Sequence, residues 1–388
     1  MREVAIVAIA RTPCGRAHKG ALRDTRPDTL AGLAIAEAVR RCPGLDPRRI
    51  GDVILGCAMP EGEQGMNVAR IAGFLAGLPA EVPALTINRF CSSGLQALAI
   101  GAGSIALGGS EVIVAGGVES MSMVPMGGNK PSTHPELFDR YPEAYTSMGI
   151  TAENVARRFG VSREEQDQFA YTSHQRAAAA QRAGRFDAQL VPVTTKVYEE
   201  GGARTVTLRH DETVRAETTL EALAKLKPAF ADDGSVTAGN ASPLTDGAGA
   251  AVLIERRAAE KLGLRPLAIF RRFVAVGVAP ELMGIGPVPA IRKLLADTGL
   301  GLGEIDVFEL NEAFAAQACY CVRELGIAPE RVNPNGGAIA LGHPLGATGT
   351  NLTAKLLHEL ERTGGRWGVV SMCIGGGMGA AGLFERVG

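Results

Sequence analysis

Asn88-Arg89-Phe90-Cys91-Ser92-Ser93-Gly94-Leu95-Gln96-Ala97 is the stretch on which the reading of this chain turns. Just upstream, Leu85-Thr86-Ile87-Asn88 alternates apolar and polar residues and is β-branched twice, which predicts a strand. Downstream, Ser92 to Ser110 carries no charged residue, and Leu95, Leu98, Ala99, Ala102, Ile105 and Ala106 recur at helical spacing. A helix without a polar face is expected to be covered on all sides. Cys91 is therefore expected at a strand-to-helix turn, where the helix N-terminus favours thiolate over thiol. A lone cysteine is more often inert packing. The Cys-Ser-Ser-Gly turn, offering a helix cap and close backbone approach, weighs against that here.

The 388 residues suffice for several domains sharing an apolar core. A net charge of −1 and a pI near 6.6 give no global basic field to attract nucleic acid or a membrane surface. The 50 glycines lack a collagen period and cluster, which suggests tight turns and backbone brought close to a ligand. Seven cysteines without CxxC or Cys/His spacing argue against a disulfide framework and against a bound metal. Val4 to Ala10 is too short and too abruptly followed by Arg-Thr-Pro for a signal core, and it reads as a buried strand. The Gly- and Ser-rich run after Cys91 makes a poor membrane span, so a cytoplasmic protein is expected.

Along the first part, strands are expected at 4–10, at Asp52–Gly56, before Cys91, and at Glu111–Gly117. Helices are expected from about Thr29 to Arg41, with Asp28 as cap, and from Asn67 to Ala76. From Met121 to about Thr245 the character changes. Pro125 to Tyr145 reads as irregular loop, followed by helix starts at Thr151, Ser162-x-x-Glu165 and Thr218-x-x-Glu221. This predicts a mostly helical insertion; its Arg209, Arg215, Lys225 and Lys227 read on composition alone as a solvated face. At Leu267 the α/β pattern resumes in the same order: a strand at Leu267–Phe270, a helix from Val288 to Asp297, Ile305–Glu309, a helix ending near Arg362, and Gly368–Met372. The chain thus reads as two copies of a βαβαβαβ unit, 1–120 with 245–266 and 267–388, separated by an insertion at 121–244.

Three further segments share the low charge of the Cys91 turn: Asn311-Glu312-Ala313-Phe314, the run Asn333 to Gly349 with His343 as its ionisable side chain, and Cys373-Ile374-Gly375-Gly376-Gly377-Met378-Gly379. If the halves are copies, the turns carrying Cys91 and His343 hold related positions and can meet between them. Each partner alone has a plain structural role: His343 as a carbonyl cap, Cys373 as core, Asn311 as a turn residue. The remaining histidines are read as structural. Gly101-x-Gly103-x-x-Ala106 imitates a dinucleotide fingerprint but falls inside a helix, which rules it out.

With Asn88–Gly94, Asn240–Ala248, Asn311–Phe314, Gly336–Gly349 and Cys373–Gly379 in this order, nearly the whole chain resembles the thiolases. The resemblance implies a five-layered αβαβα fold whose insertion covers coenzyme A. It implies Cys91 as the acylated nucleophile and His343 as the group holding it as thiolate. Cys373 becomes the acid/base at the α-carbon, and Asn311, through water, a stabiliser of the enolate oxygen together with His343. Backbone N–H groups of Cys91 and Gly375 would form a second oxyanion site. Arg215 is implied near coenzyme A phosphates and Ser242 near the pantetheine arm, with Met148, Phe230, Met283 and Phe314 also contacting substrate.

The resemblance thus implies an acyltransferase that cleaves 3-ketoacyl-CoA with coenzyme A, in fatty acid β-oxidation. Coenzyme A is its substrate, no cofactor is held permanently, and the protein is a homodimer or dimer of dimers, with a β-oxidation complex as a further partner. Ser92 after the nucleophile and Ser147 before Met148-Gly149 lean towards degradation; a biosynthetic acetyl-CoA acetyltransferase is the alternative. Ketoacyl synthases share the fold but use Cys-His-His, which Asn311–Phe314 and Cys373 disfavour, and the intact cysteines disfavour a non-catalytic lipid carrier.

Overall fold

The computed structural model describes residues 2–387. The first half comprises β1 (Val4–Arg11), β2 (Gly15–Arg16), α1 (Pro27–Arg40), β3 (Ile50–Gly56), α2 (Val68–Leu75), β4 (Ala84–Ile87), α3 (Ser93–Ala106) and β5 (Val112–Ser120). The insertion follows with α4 (Pro135–Arg140), α5 (Met148–Phe159), α6 (Arg163–Arg182), β6 (Val193–Glu199), β7 (Gly202–Leu208) and α7 (Leu220–Ala224). The chain then returns through β8 (Thr245–Glu255) and α8 (Arg256–Lys261). The second half is β9 (Ala268–Gly277), α9 (Pro287–Thr298), β10 (Val307–Leu310), α10 (Ala315–Leu325), α11 (Ala338–Leu341), α12 (Leu345–Thr363), β11 (Trp367–Ile374) and β12 (Met378–Glu385).

Strand order is β10-β11-β12-β9-β1-β8-β5-β3-β4, with β2 beside β8. Its centre is the antiparallel β1/β9 contact at Ala5–Ile269 and Ile6–Ala268. Moving outward on either side, one meets an antiparallel strand (β8 or β12), then β5 or β11, then a parallel neighbour, β3 or β10. The duplication is therefore visible as a pseudo-symmetry of pairing. It includes β8 and β12, which the sequence pattern did not count.

Alternation along the strands builds the layers. Val112 and Val114 of β5 face α1 and α2 in one core, while Ile113 and Ala115 face α3. In β11, Val369 packs with α9 and α10, while Val370 and Met372 face α12. The result is helices, half-sheet, α3 with α12, half-sheet, helices: five layers. The middle layer is tight because glycine lines it. A Cβ on Gly117 would lie 1.9 Å from the Gly346 carbonyl oxygen, and one on Gly349 would lie 2.2 Å from the Leu95 nitrogen.

Several local expectations change. α3 is not covered all round: Ile100 is 36% exposed, and Leu107, just past its end, is 82% exposed. The reason is topological, since β4 ends the sheet and no strand among the described residues lies beyond it. Asp28 sits inside the first turn of α1, paired with Arg26, because Pro27 takes the first helical position. α5 starts at Met148, so Thr151 lies within it and bonds the Met148 carbonyl. The Ser162/Glu165 capping box forms, but α7 is capped by Thr219 instead of Thr218. Pro125 to Tyr145 contains the short α4.

The insertion also holds the β6–β7 hairpin, absent from the helical expectation. Apart from Val193 and Val197, β6 is exposed or half-buried, so its apolar alternation is weak. Beneath the insertion, Arg11 and Asp211 form a bidentate pair at 2.7 and 2.9 Å, both buried, tying it to β1.

Gly117→Ala tests the middle layer. A methyl group there meets fixed backbone, so stability should fall by about 1–3 kcal/mol in chemical denaturation. Gly303→Ala, with open space around its Cβ, should stay within about 0.5 kcal/mol of the parent.

Candidate active site

The turn before α3 is built by its own polar residues. Asn88 Oδ1 accepts the Phe90 N–H at 2.7 Å, and Asn88 Nδ2 donates to the Ala58 carbonyl at 2.9 Å. Ser93 Oγ accepts the Arg89 N–H at 2.8 Å and donates to the Phe90 carbonyl at 2.7 Å. These bonds hold Phe90 at a left-handed φ of 44°, unusual for a bulky residue, and place Cys91 in a 3₁₀ turn ahead of the helix. Ser92 gives no side-chain cap, contrary to expectation, and its Oγ is buried without a hydrogen-bond partner among the described residues.

Cys91 and His343 line one cavity of about 480 Å³. His343 is fixed at three points. Its backbone N–H donates to Thr245 Oγ1 at 2.7 Å, Nδ1 meets Thr348 Oγ1 at 2.6 Å, and Nε2 meets Asn311 Nδ2 at 3.3 Å. Thr348 Oγ1 already donates to the Pro344 carbonyl, so it accepts from Nδ1–H. Nε2 then carries the lone pair that can take a proton.

Behind the cavity wall stand Asn311, Cys373 and Gly375. None of them lines the cavity itself. Asn311 follows β10, and Cys373 lies fully buried near the end of β11. Gly375 opens the loop between β11 and β12, where Gly376 and Gly377 take φ of 77° and 80°. The Gly375 and Cys91 N–H groups both act on the Cys91 sulfur and favour its thiolate.

Burial outweighs them. It pushes the Cys91 thiol up to about 11 and the His343 imidazole down to about 4. It also raises the Cys373 thiol well above its ordinary range, with Cys91 adding to the effect. Burial thus opposes the thiolate expected at Cys91 and favours the neutral thiol and imidazole.

Met148, Phe230, Met283, Phe314, Ser242 and Arg215 all line the same cavity. Gly149 is required there, since a Cβ would fall 2.1 Å from the Phe230 ring, which meets Phe314 edge-on at 6.0 Å. Sequence reasoning missed Arg16 and Lys19, which also line it. Arg16 lies close enough to Arg215 to lower its pKa, second to desolvation. None of these three cations has a carboxylate ion-pair partner among the described residues. A signal was present: Arg11 to Lys19 carries three basic residues and no acidic one.

Glu119 was also missed. At the end of β5 its buried carboxylate accepts N–H groups from Ala58, Met59 and Gly346 and the Gln64 amide. It binds the loop after β3 to the first turn of α12. Among the described residues no group of His, Cys, Asp and Glu is arranged to hold a metal, and no helix is long and apolar enough to cross a membrane.

A neutral resting pair has a kinetic signature. Alkylation of Cys91 by iodoacetamide, followed by peptide mapping, should accelerate steadily from pH 6 to 9 as thiolate accumulates towards its pKa of about 11. A plateau across neutrality would instead reveal a preformed thiolate–imidazolium pair.

Residues 4–257 match the family model of the thiolase N-terminal domain and 264–386 that of the thiolase C-terminal domain. The chain is 54% identical over 390 residues to a 3-ketoacyl-CoA thiolase of Bacillus subtilis (strain 168), covering 99% of this chain and 100% of that protein. It is 52% identical to the peroxisomal 3-ketoacyl-CoA thiolase A of Mus musculus, covering 100% of this chain and 91% of that protein. The crystal structure of the Bacillus anthracis acetyl-CoA acetyltransferase superposes with a TM-score of 0.91 at 43% identity, covering 100% and 99% of the two chains. With both domain models matched along the chain, and Cys91 and His343 lining one cavity, this chain belongs to the thiolase family.

Proposed function

We propose that the protein is a 3-ketoacyl-CoA thiolase working in the direction of cleavage, as acetyl-CoA C-acyltransferase. The observation that carries the reading is that Cys91 and His343 line one cavity, with two backbone N–H groups acting on the Cys91 sulfur and a second thiol, Cys373, buried behind the wall. Nε2 of His343 takes the Cys91 proton as sulfur attacks the 3-keto carbon. The Cys91 and Gly375 N–H groups stabilise the oxyanion, and its collapse breaks the C2–C3 bond. Acetyl-CoA departs as an enolate, its oxygen stabilised by Asn311, through water, and His343. Cys373 gives its proton to the enolate carbon. Cys373 regains its proton from the His343 imidazolium, and His343 then takes the proton of incoming coenzyme A. Coenzyme A sulfur attacks the acyl-cysteine, and His343 returns its proton to Cys91.

The relatives named 3-ketoacyl-CoA thiolase, at 50% identity and above in bacteria and mammals, support degradation over acetoacetyl-CoA synthesis. Ser92 and Ser147 add little, since Ser92 Oγ is buried and Ser147 does not line the cavity. Arg16, Lys19 and Arg215 suit the phosphates of coenzyme A, and Ser242 its pantetheine arm, as substrate contacts. The edge strand β4, with Leu85 exposed, suits pairing with a second copy of the chain, making a homodimer that can pair further. A cytoplasmic enzyme, acting alongside other β-oxidation enzymes, fits the bacterial relative, whereas the mouse relative is peroxisomal.

After incubation with acetyl-CoA, intact mass and peptide mapping should find the acyl group on Cys91; acylation at Cys373 would overturn the assignment. Cys373→Ala separates the two thiols. Exchange of labelled coenzyme A with acetyl-CoA moves no proton at carbon and should persist. Deuterium wash-in at the acetyl methyl group, and thiolysis itself, should be lost. Loss of both exchanges in a folded variant would show that Cys373 serves acylation. Arg215→Ala should cost about 1–2 kcal/mol in coenzyme A binding, raising its KM while acylation at saturating substrate continues.

A further inference from the structure

Arg16, Lys19 and Arg215 reach the cavity from two distant parts of the chain, and a side chain that does not line the cavity joins those parts. Glu212 Oε1 accepts the Arg16 N–H at 2.6 Å and the Ala21 N–H at 3.0 Å, and Oε2 lies 3.2 Å from the same Ala21 nitrogen. The Glu212 N–H donates to the Cys14 carbonyl at 3.2 Å. Its carboxylate thus fills the loop from Arg16 to Ala21, which closes on itself where the Gly20 N–H donates to the Arg16 carbonyl at 2.7 Å. The fit leaves no space for a side chain at Gly20, where a Cβ would collide with Glu212 Oε1.

The segment that carries Glu212 is itself fixed on both sides. Asp211 accepts the Cys14 N–H at 2.8 Å and pairs with Arg11, while Thr213 Oγ1 donates to the Ala340 carbonyl at 2.6 Å. Arg215 follows two residues later, its N–H bonded to His174 Nδ1 at 3.2 Å. Glu212 therefore links the loop bearing Arg16 and Lys19 to the segment bearing Arg215. It does so through backbone N–H groups and not through the Arg16 guanidinium.

We infer that Glu212 is a positioning residue for coenzyme A: by capping the Arg16 and Ala21 N–H groups it sets Arg16 and Lys19 beside Arg215 as one phosphate-binding cluster. This rests on the thiolase reading above and deepens it. Two effects of an acid at this place oppose each other. Its charge repels phosphate, so as a bystander it would weaken coenzyme A binding. Its hydrogen bonds order the loop in advance, so the cations meet the phosphates without first having to be gathered. Removing the carboxylate decides between them, because the two effects then have opposite signs.

The test is thiolysis at a saturating 3-ketoacyl-CoA, with either coenzyme A or pantetheine, which lacks the phosphates, as the accepting thiol. Glu212→Ala should raise the KM for coenzyme A about fivefold to tenfold while kcat stays within about twofold. Glu212→Gln keeps an oxygen that can accept both N–H groups, and its KM should stay within about twofold of the parent. Gly20→Ala displaces Glu212 without changing the charge; it should match Glu212→Ala, and the double variant should be no worse than either. With pantetheine the KM should not move in any variant. An unchanged or lowered KM for coenzyme A in Glu212→Ala overturns the inference, as does an equal rise with pantetheine or multiplied effects in the double variant. If thermal unfolding shows that Glu212→Ala does not fold, Gly20→Ala decides alone. Absence of thiolysis in the parent enzyme overturns the thiolase reading instead, and this inference with it.

Discussion

The site depends on how closely α3 and α12 approach in the middle layer, and glycine sets that distance. Gly94 and Gly349 each occupy a point where a Cβ would collide with backbone of the facing helix, and Gly117 and Gly346 do the same between β5 and α12. Cys91 precedes one of these helices and His343 the other, so the helix spacing is also the spacing of nucleophile and base. Dispersion alone would not hold two such turns in register. Glu119 does so by accepting N–H groups from the loop after β3 and from Gly346. A carboxylate at a helix N-terminus is favoured by the helix dipole, which makes this fastening directional.

Charge is handled differently in the frame and at the site. In the frame, two buried ion pairs bring opposite charges together, Arg11 with Asp211 and Lys355 with Glu309 at 2.7 Å, while the Glu119 carboxylate is held by N–H groups instead. Removing one partner of such a pair strands the other in low dielectric, so these pairs fix geometry even where their net contribution to stability is small. Asn333 adds to the frame, exchanging bonds with Leu310 and donating to Glu312, and so steadies the end of β10 next to Asn311. At the site, burial favours the neutral thiol and imidazole, and neither has an ion-pair partner among the described residues. Charge develops there only during reaction, against N–H groups that are already oriented.

Much of this was legible in the sequence. Strand and helix periodicities gave two similar α/β halves, because apolar spacing along a chain records which faces are covered. The Ser162/Glu165 box and the turn at Asn88–Gly94 are local structures, written in residues that bond to near neighbours. The order of the low-charge, glycine-rich segments was enough to mark the family, since glycine and uncharged runs are required wherever backbone must touch backbone.

What the sequence left open is what depends on distance across the fold. The hairpin in the insertion is largely exposed, so its strands lack a strong apolar pattern. The open face of α3 follows from β4 ending the sheet, which no property of α3 itself reveals. Arg16 and Arg215 lie far apart in the chain and meet only through folding. The placing of Asn311, Cys373 and Gly375 behind the cavity wall, with Cys91 and His343 on it, is equally a matter of packing. So is the ionisation of the site. A helix N-terminus, seen in sequence, predicts a thiolate at Cys91. Burial, seen only in the folded chain, outweighs the helix and keeps the resting thiol protonated, because an apolar cavity solvates a charged sulfur poorly.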